Sequence, residues 1–301
     1  MGLWLLYAFG AAVFAALTAI LAKIGLKKVD SHLATAIRTV VVLIFAWLMA
    51  LMAGGLTGMD CIRSIDGWTW TFLVLSGLAT GGAWLCYFRA LKLGNVNKVV
   101  PLKKSGTILT MVLAFIFLGE PIGWVTAAAM LLMGLGTWLM LELKKSTPKP
   151  TNRGGGWLFY AVLAAIFASL VAIFGRVGVQ GVDAYLWTAI RTAVVVPMSW
   201  LMVFLSGKQQ GIQGEICRKI KSIDRKSWLF LVLSGLATGG SWLFFYHALQ
   251  IGYASHVVPV DRSSILLTMV LARIFFGERF SKRSLTGLGL LTVGTVILVL
   301  I

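Results

Sequence analysis

The chain has 301 residues, of which 59% are hydrophobic and only 12% are charged. Its mean hydropathy of +0.90 excludes an ordinary water-soluble domain and indicates an integral membrane protein. The formal net charge of +17 does not indicate nucleic-acid binding, because the basic residues are scattered among short linkers and form no basic groove.

Apolar runs long enough to cross a membrane occur ten times along the chain. A hydrocarbon core about 30 Å thick needs about 20 apolar residues in a helix, and a helix satisfies its own backbone groups in lipid. The first run begins at Gly2 without a basic leader, so we expect a retained span rather than a signal peptide. The predicted spans are roughly 3–22, 33–53, 68–90, 96–118, 122–142, 156–175, 184–206, 227–249, 255–276 and 283–301.

The sequence contains an internal duplication. Residues 76–120 and 234–278 are identical at 26 of 45 positions by direct count, and VDSHLATAIRT (29–39) returns as VDAYLWTAIRT (182–192). We therefore predict a first five-helix repeat over 1–143, a polar linker over 144–156 and a second five-helix repeat over 157–301.

Five spans is an odd number, so the second repeat is expected to enter the membrane upside down. Linkers after the odd-numbered spans contain 19 Lys and Arg residues, whereas those after the even-numbered spans contain two, Arg63 and Arg176. The positive-inside rule then places both termini outside the cell. The predicted fold is an all-α integral membrane protein with ten transmembrane helices in two inverted-topology five-helix repeats.

The duplicated runs YFRALKLGNVNKVVP and YHALQIGYASHVVP, with the FLGEPIGW and FFGERFSKRS turns that follow them, carry a family resemblance. They resemble the EamA domain of the drug/metabolite transporter superfamily. The resemblance implies two five-helix repeats in the plasma (inner) membrane of a prokaryote. Arg38 and Arg191, in the two TAIRT segments, are similar to a family arginine, which favours tethering or gating. Relatives often keep both termini in the cytoplasm, and we follow the charge count instead.

Motifs typical of enzymes are absent from the sequence. It contains no HExxH, no GxSxG, no phosphate-binding glycine loop and no paired carboxylates. Its three cysteines have no paired spacing, and no Cys/His cluster has the spacing of a metal site. We expect no catalytic activity, no cofactor and no metal.

Ionisable residues inside the apolar runs are the strongest functional signal. Each costs at least about 2.5–3.5 kcal/mol in the membrane interior. Lys103 and Asp261 each lie about 10 Å deep, from opposite surfaces, at 1.5 Å per residue, and each begins a stripe of small and polar residues. We predict that both face a central cavity. The alternative is structural: Lys103 reaches the headgroups, and Asp261 pairs with a fixed cation such as Arg262 or Arg191.

The other predicted site residues fall into three sets. Cavity residues are expected to be Lys103, Asp261, Thr107, Thr110, Ser264, Thr268, Trp84, Trp242 and Tyr246. Gating or structural charges are expected to be Arg38, Arg191, Lys104, Arg262, Glu120 and Glu278. The last two are expected to cap the hairpin turns, with a coupling carboxylate as the alternative. Pro101 and Pro259 are candidate helix breaks, or alternatively helix-start prolines. Gly77 and Gly81, repeated as Gly235 and Gly239, predict a close helix contact.

The predicted function is secondary transport of a small polar or amphipathic metabolite by alternating access. An amino acid or related zwitterion is the first substrate class to test, with Lys103 meeting its anionic part. Asp261 meets its cationic part or takes a coupling proton. The alternatives are a flippase for lipids or lipid-linked sugars, which would use Lys104, Arg262 and Arg273 near the headgroups, and a non-transporting membrane partner. Membrane lipid and a small-molecule substrate are the expected partners, with no nucleic acid.

Overall fold

The structure is a computed structural model that describes residues 2–25, 29–54, 62–63, 65–93, 99, 106–121, 123–140, 156–209, 216–277 and 282–300. Helices dominate these ranges, and no strand occurs in them. The first half contains α1 (Leu3–Gly25), α2 (Ser31–Gly54), α3 (Gly67–Leu93), α4 (Gly106–Leu118) and α5 (Trp124–Met140). The second half contains α6 (Gly156–Gly178), α7 (Ala184–Gln209), α8 (Ile216–Lys221), α9 (Arg225–Ile251), α10 (Ala254–Arg262), α11 (Ser264–Phe276) and α12 (Lys282–Leu300).

Six of these helices are long and apolar enough to cross a membrane: α1, α2, α3, α6, α7 and α9. Large apolar side chains on the outer surface, such as Phe117 and Phe275, are exposed, as expected for contact with lipid. The all-helical membrane fold is therefore confirmed. The number of ten spans stays a prediction, because the fourth span is described only from Gly106 and the ninth consists of two helices, α10 and α11.

Helices of the two halves pack against each other in reciprocal pairs. In the first half α1 lies along α9, and its counterpart α6 in the second half lies along α3. The helices α2 and α7, which carry the two TAIRT segments, pack together, as do α5 and α12. The two halves are therefore interleaved, and the contacts between them are built from equivalent elements.

The directions of these helices can be read from their contacts. Leu33 and Ile37, early in α2, share an apolar cluster with Val203, late in α7. Ala50, late in α2, shares another cluster with Ala189, early in α7. The equivalent helices α2 and α7 therefore run antiparallel where they pack.

Glycines mark a second reciprocal crossing, between α5 and α12. A Cβ placed on Gly136 would lie 2.6 Å from the carbonyl oxygen of Gly287, and one placed on Gly294 would lie 2.9 Å from that of Ala129. The backbones leave no room for a side chain at either point. Residues 129 and 136 correspond to 287 and 294 at the offset of 158. The contact of Gly136 with Gly287 is therefore equivalent to the contact of Gly294 with Ala129.

Small side chains let α1 approach α9 closely. Two serines of α9 add hydrogen bonds across the contact: Ser241 Oγ donates to the Ala11 carbonyl at 3.0 Å, and Ser234 Oγ donates to the Thr18 carbonyl at 3.1 Å. The buried face of α1 includes five alanines, Ala8, Ala11, Ala12, Ala16 and Ala22.

The predicted glycine contacts are confirmed, and they too are reciprocal. A Cβ on Gly77 of α3 would lie 2.7 Å from Cβ of Val194 on α7, and a Cβ on Gly235 of α9 would lie 2.7 Å from Cβ of Val41 on α2. One turn later, Gly81 meets Met198 and Gly239 meets Phe45. These positions hold α3 against α7 and α9 against α2, and both contacts adjoin the TAIRT arginines.

The helix break predicted at Pro259 occurs four residues later in the structure, at Ser263. Pro259 is buried inside α10, and the helix is interrupted at Ser263, where α10 ends and α11 follows. The amide of Ser263 donates to the carbonyls of Pro259 and Val260, at 3.2 and 3.0 Å. The interruption is therefore a tight turn after the proline. Pro101 lies outside the described residues.

Candidate functional site

A cavity of about 240 Å³ lies among α2, α3 and α9. It contains one charged side chain, Arg38, among the described residues that line it. Two indole rings form its walls, one from each half of the chain. The described lining residues are Thr35, Arg38, Thr39, Val42, Trp84, Tyr87, Thr238 and Trp242.

Helical spacing explains how three elements deliver these side chains. On α2, Thr35, Arg38, Thr39 and Val42 stand at i, i+3, i+4 and i+7 and so share one face. Trp84 and Tyr87 are three apart on α3, and Thr238 and Trp242 are four apart on α9. Since α9 packs on α2 through the glycine contact at Gly235, α2 and α9 hold their polar faces toward the same space.

Arg38 makes one described side-chain hydrogen bond, from Nη2 to Thr238 Oγ1 at 2.8 Å. Its Nε is buried without a partner among the described residues. A guanidinium has five N–H donors, so Arg38 presents more donors than its protein neighbours accept. The side chain is partly exposed, because the cavity lies beside it.

The hydroxyl groups of the cavity threonines already donate hydrogen bonds to the backbone. Thr35 Oγ1 donates to the Ser31 carbonyl at 2.8 Å, and Thr39 Oγ1 donates to the Thr35 carbonyl at 2.6 Å. Thr238 Oγ1 donates to the Ser234 carbonyl at 2.7 Å and accepts from Arg38. Arg38 is therefore the charged hydrogen-bond donor of the described lining, and the threonines around it offer acceptor oxygens.

Arg191, the equivalent of Arg38 in α7, is fully buried. Its Nε donates to Ser76 Oγ at 3.0 Å and its Nη2 donates to Thr80 Oγ1 at 2.5 Å. The guanidinium carbon lies 4.9 Å from the ring centroid of Trp242 and 5.1 Å from that of Tyr246. Two hydroxyls and two aromatic faces therefore stabilise a buried cation, and its described contacts include no carboxylate.

The two arginines occupy unequal environments although their local sequences match. Thr188 and Thr192, the counterparts of Thr35 and Thr39, are completely buried around Arg191. Trp242 belongs to both environments, because it lines the Arg38 cavity and also lies under Arg191. One half-site is therefore open and its counterpart is closed.

The structure places the remaining predicted cavity residues in different surroundings. Trp84 and Trp242 line the Arg38 cavity, whereas Tyr246 is buried in the main apolar cluster beside Arg191. Asp261 is partly exposed on α10 and is not among the residues that line this cavity.

On α4 and α11 the predicted polar stripes are divided between buried and accessible positions. Thr110 is buried, while Thr107, Ser264 and Thr268 are partly exposed. Arg262 is exposed at the end of α10. Lys103, Lys104 and Glu278 lie outside the described residues.

Glu120 has a different role from the one expected. Its buried carboxylate accepts hydrogen bonds from the backbone amides of Ala254 at 2.7 Å and Ser255 at 2.8 Å, and so caps the N-terminus of α10 in the other half. The prediction that it caps its own hairpin is corrected. The turn itself is made by Gly119, whose φ of 64° suits glycine.

A second cavity, of about 750 Å³, lies at the end of the bundle near this cap. Trp4, Arg176, Tyr253 and His256 are among its lining residues. Arg176 Nη1 donates to the carbonyls of Leu249 and Gln250 at the end of α9, so one nitrogen of its guanidinium is held by the backbone.

Sequence reasoning did not single out Thr35, Thr39 or Thr238 as site residues. The duplication contains the signal that identifies them. The threonines of TAIRT and of SGLAT stand in both halves, as do the arginines between them. Polar residues that occur in both copies of an apolar repeat are the ones that bind or surround the arginines in the structure.

The comparisons with known proteins agree with this architecture. A profile of the EamA-like transporter family matches residues 2–142 and again residues 155–300. A protein of Sinorhizobium sp named "Uncharacterized transporter in cobO 3'region" is 40% identical over 142 residues, which are 47% of this chain and 95% of that protein. Mouse "Solute carrier family 35 member G1" is 30% identical over 140 residues, 46% of this chain and 34% of that protein.

A Bacillus subtilis (strain 168) protein named "Uncharacterized transporter YxxF" is 22% identical over 200 residues, 65% of this chain and 59% of that protein. One solved structure, named "Crystal structure of protein", matches with a TM-score of 0.74 and 16% identity, over 99% of this chain and 96% of that chain. That likeness concerns the fold alone. The two family matches together span nearly the whole sequence, and the chain belongs to the EamA-like transporter family.

Proposed function

We propose that this protein is a secondary transporter in the plasma (inner) membrane of a prokaryote. It moves a small polar or amphipathic metabolite by alternating access between two inverted five-helix repeats. Membership of the EamA-like family supports transport, and the geometry of the two halves supports the way in which it operates.

Inversion of the repeats is supported by the directions of equivalent helices. The antiparallel packing of α2 with α7 and the reciprocal crossing of α5 with α12 are what two copies related by an axis in the membrane plane would produce. The distribution of Lys and Arg among the linkers supports external termini. It also favours a cytoplasmic position for the end of the bundle where α2 begins.

The main support for alternating access is the difference between the environments of Arg38 and Arg191. In an inverted repeat, equivalent residues approach the membrane centre from opposite sides, so an open half-site and a closed half-site correspond to access from one side only. The Arg38 half-site is open and the Arg191 half-site is buried. In this proposal the structure corresponds to an inward-open state, with the external path closed at Arg191.

Transport then requires the two half-sites to exchange their environments. Arg38 gains Ser234, the equivalent of Ser76, and keeps its bond to Thr238, while Arg191 releases Ser76 and keeps its bond to Thr80. In this state Ser234 Oγ donates to the Thr18 carbonyl, so the exchange changes a contact of α9 with α1. In each state, one arginine makes the full set of hydrogen bonds to its serine and threonine, and the equivalent arginine of the other half makes the smaller set.

Asp261 keeps the role proposed for it from the sequence, and the role of Lys103, which lies outside the described residues, stays a prediction. Asp261, partly exposed in an otherwise buried stretch of α10, takes a coupling proton or meets the cationic part of the substrate. An amino acid or related zwitterion remains the first substrate class to test. Membrane lipid surrounds the protein and is not the transported molecule.

Transport by purified protein in proteoliposomes tests this function. Vesicles preloaded with one unlabelled compound are supplied with the same compound in labelled form, for amino acids, amines, nucleosides and sugar phosphates in turn. We expect counterflow for at least one class. Translocation of a fluorescent lipid without metabolite counterflow would favour a flippase, and the absence of both activities would favour a non-transporting membrane partner.

A further inference from the structure

We infer that the Arg38 cavity binds the carboxylate of a small molecule with a planar or apolar body, which packs against Trp84 and Trp242. The inference rests on the proposed transport function and adds the chemical class of the substrate. It assigns recognition of the anionic group to Arg38, where the sequence had indicated Lys103.

Charge is the first reason. Arg38 is the only charged residue among the described residues that line the cavity. Arg191 brings a second cation close to the same wall, since its guanidinium lies over Trp242. In a medium of low dielectric constant, two nearby cations repel a ligand that carries only positive charge and attract an anion. The aromatic walls alone would suit a cation, but Trp242 already has Arg191 over its ring.

Hydrogen bonding is the second reason. The threonine neighbours of Arg38 donate hydrogen bonds to backbone carbonyls, and the other side-chain donors of the described lining, the indole N–H groups of Trp84 and Trp242 and the hydroxyl of Tyr87, are neutral. The guanidinium is therefore the charged donor among the described residues of the cavity. A carboxylate offers acceptors in the planar arrangement that matches a guanidinium. It would take up donors of Arg38 that the bond to Thr238 leaves unused.

Shape is the third reason. The cavity volume of about 240 Å³ is slightly below the range of about 300–1,000 Å³ for sites that enclose drug-sized ligands, which suits a small molecule. Trp84 and Trp242 enter it from α3 and α9 as equivalent residues of the two halves. Flat aromatic walls favour a planar or apolar body beside the charged group.

Binding to purified protein in neutral detergent tests the inference without requiring transport. The probes share one ring and differ in charge: phenylacetate, phenylalanine, phenethylamine and benzyl alcohol, with acetate to remove the ring. Thermal melting measures binding, because a ligand specific to the folded state raises the melting temperature. We expect stabilisation by phenylacetate and phenylalanine, less by acetate, and none by the amine or the alcohol.

Arg38→Gln should weaken the apparent affinity for phenylacetate by about tenfold or more, since a charge-assisted pair is lost. Arg38→Lys should retain part of it. Arg273→Gln, which removes an exposed arginine of α11, is the matched control and should bind as the wild type does. A melting curve and a monodisperse elution profile without ligand establish that each variant is folded.

Three results would overturn the inference: stabilisation by phenethylamine equal to that by phenylacetate, stabilisation by none of the probes, or binding of phenylacetate unchanged in folded Arg38→Gln. Failure of the transport function gives a different pattern. Carboxylate binding that depends on Arg38, without counterflow in proteoliposomes, would contradict transport and leave the binding site standing. Counterflow of amines or nucleosides without carboxylate binding would support transport and contradict the carboxylate site.

Discussion

The guanidinium of Arg191 lies over the indole ring of Trp242, with 4.9 Å between the Arg191 Cζ atom and the ring centroid. The same indole is a wall of the Arg38 cavity. A ligand that packs against Trp242 therefore touches the residue that covers the buried arginine of the other half. This contact connects the proposed substrate site directly to the buried half-site around Arg191.

The two arginines predict different responses to the same substitution. Lysine cannot reproduce the planar fork by which Arg191 binds Ser76 and Thr80. Arg191→Lys should therefore lose about 1.5–3 kcal/mol of stability, the range for a hydrogen bond to a charged group. Arg38→Lys should lose much less, because Arg38 has one such bond and access to the cavity. Thermal melting of the two purified variants measures the difference, and equal losses would contradict the unequal environments.

Glycine contacts between the halves give a second prediction. In Gly235→Ala, the new methyl group would lie 2.7 Å from Cβ of Val41, and overpacking of this kind costs about 1–3 kcal/mol. Gly289→Ala is the matched control, because a Cβ there meets nothing within 4 Å. The melting temperature should fall for the first variant and stay unchanged or rise for the second.

The swapped variant, with Gly235→Ala and Val41→Gly together, tests the cause. It removes the side chain that the new methyl group meets, and it should recover part of the lost stability. A swap that is no more stable than Gly235→Ala alone would show that the clash is not with Val41.

The cap between the halves gives a third prediction. Glu120→Gln keeps one acceptor oxygen but loses the second and the negative charge at the start of α10. Because both amides are buried, we expect a loss of about 1.5–3 kcal/mol. Asp183→Asn is the matched control, since Asp183 caps α7 from an exposed position and asparagine caps about as well as aspartate.

Transport assays separate this structural role of Glu120 from proton coupling. Wild-type stability of Glu120→Gln, combined with transport that no longer responds to a pH gradient, would contradict the cap and indicate a coupling carboxylate. Reduced stability with the gradient response retained would support the cap.

Asp261 carries the fourth prediction. If it takes the coupling proton, Asp261→Asn should allow counterflow but abolish accumulation driven by a pH gradient, because the substituted amide cannot take up or release the proton. Proteoliposomes with and without an imposed gradient measure both quantities in one preparation. An unaltered gradient dependence would remove the coupling role from Asp261.

Features that depend on local sequence could be predicted well. Composition and apolar run length gave the membrane class, and the repeated glycine tract gave the contacts of Gly77 with Val194 and of Gly235 with Val41. Trp84 and Trp242 line the Arg38 cavity, while the substrate cavity predicted around Lys103 and Asp261 stays a prediction. In each case the periodicity of a single helix, or a motif within it, contains the information.

Features that depend on how distant segments meet could not be predicted in the same way. The TAIRT segment is identical in both halves, so this motif alone does not distinguish the open Arg38 from the buried Arg191. The partner of Glu120 lies 134 residues away, beyond the reach of a turn motif. The interruption of the ninth span at Ser263, rather than at Pro259, follows from the turn made after the proline.

Thiol labelling from each side of the membrane tests alternating access most directly. With Cys61, Cys86 and Cys217 replaced by serine, cysteine is placed at Thr35, which lines the cavity, or at its buried counterpart Thr188. Both threonine hydroxyls donate to the carbonyl four residues earlier, so the two substitutions remove equivalent bonds. The account predicts that an impermeant thiol reagent modifies Thr35→Cys from the cytoplasmic side and Thr188→Cys from the external side, the latter slowly. Modification of both positions from the same side would contradict it.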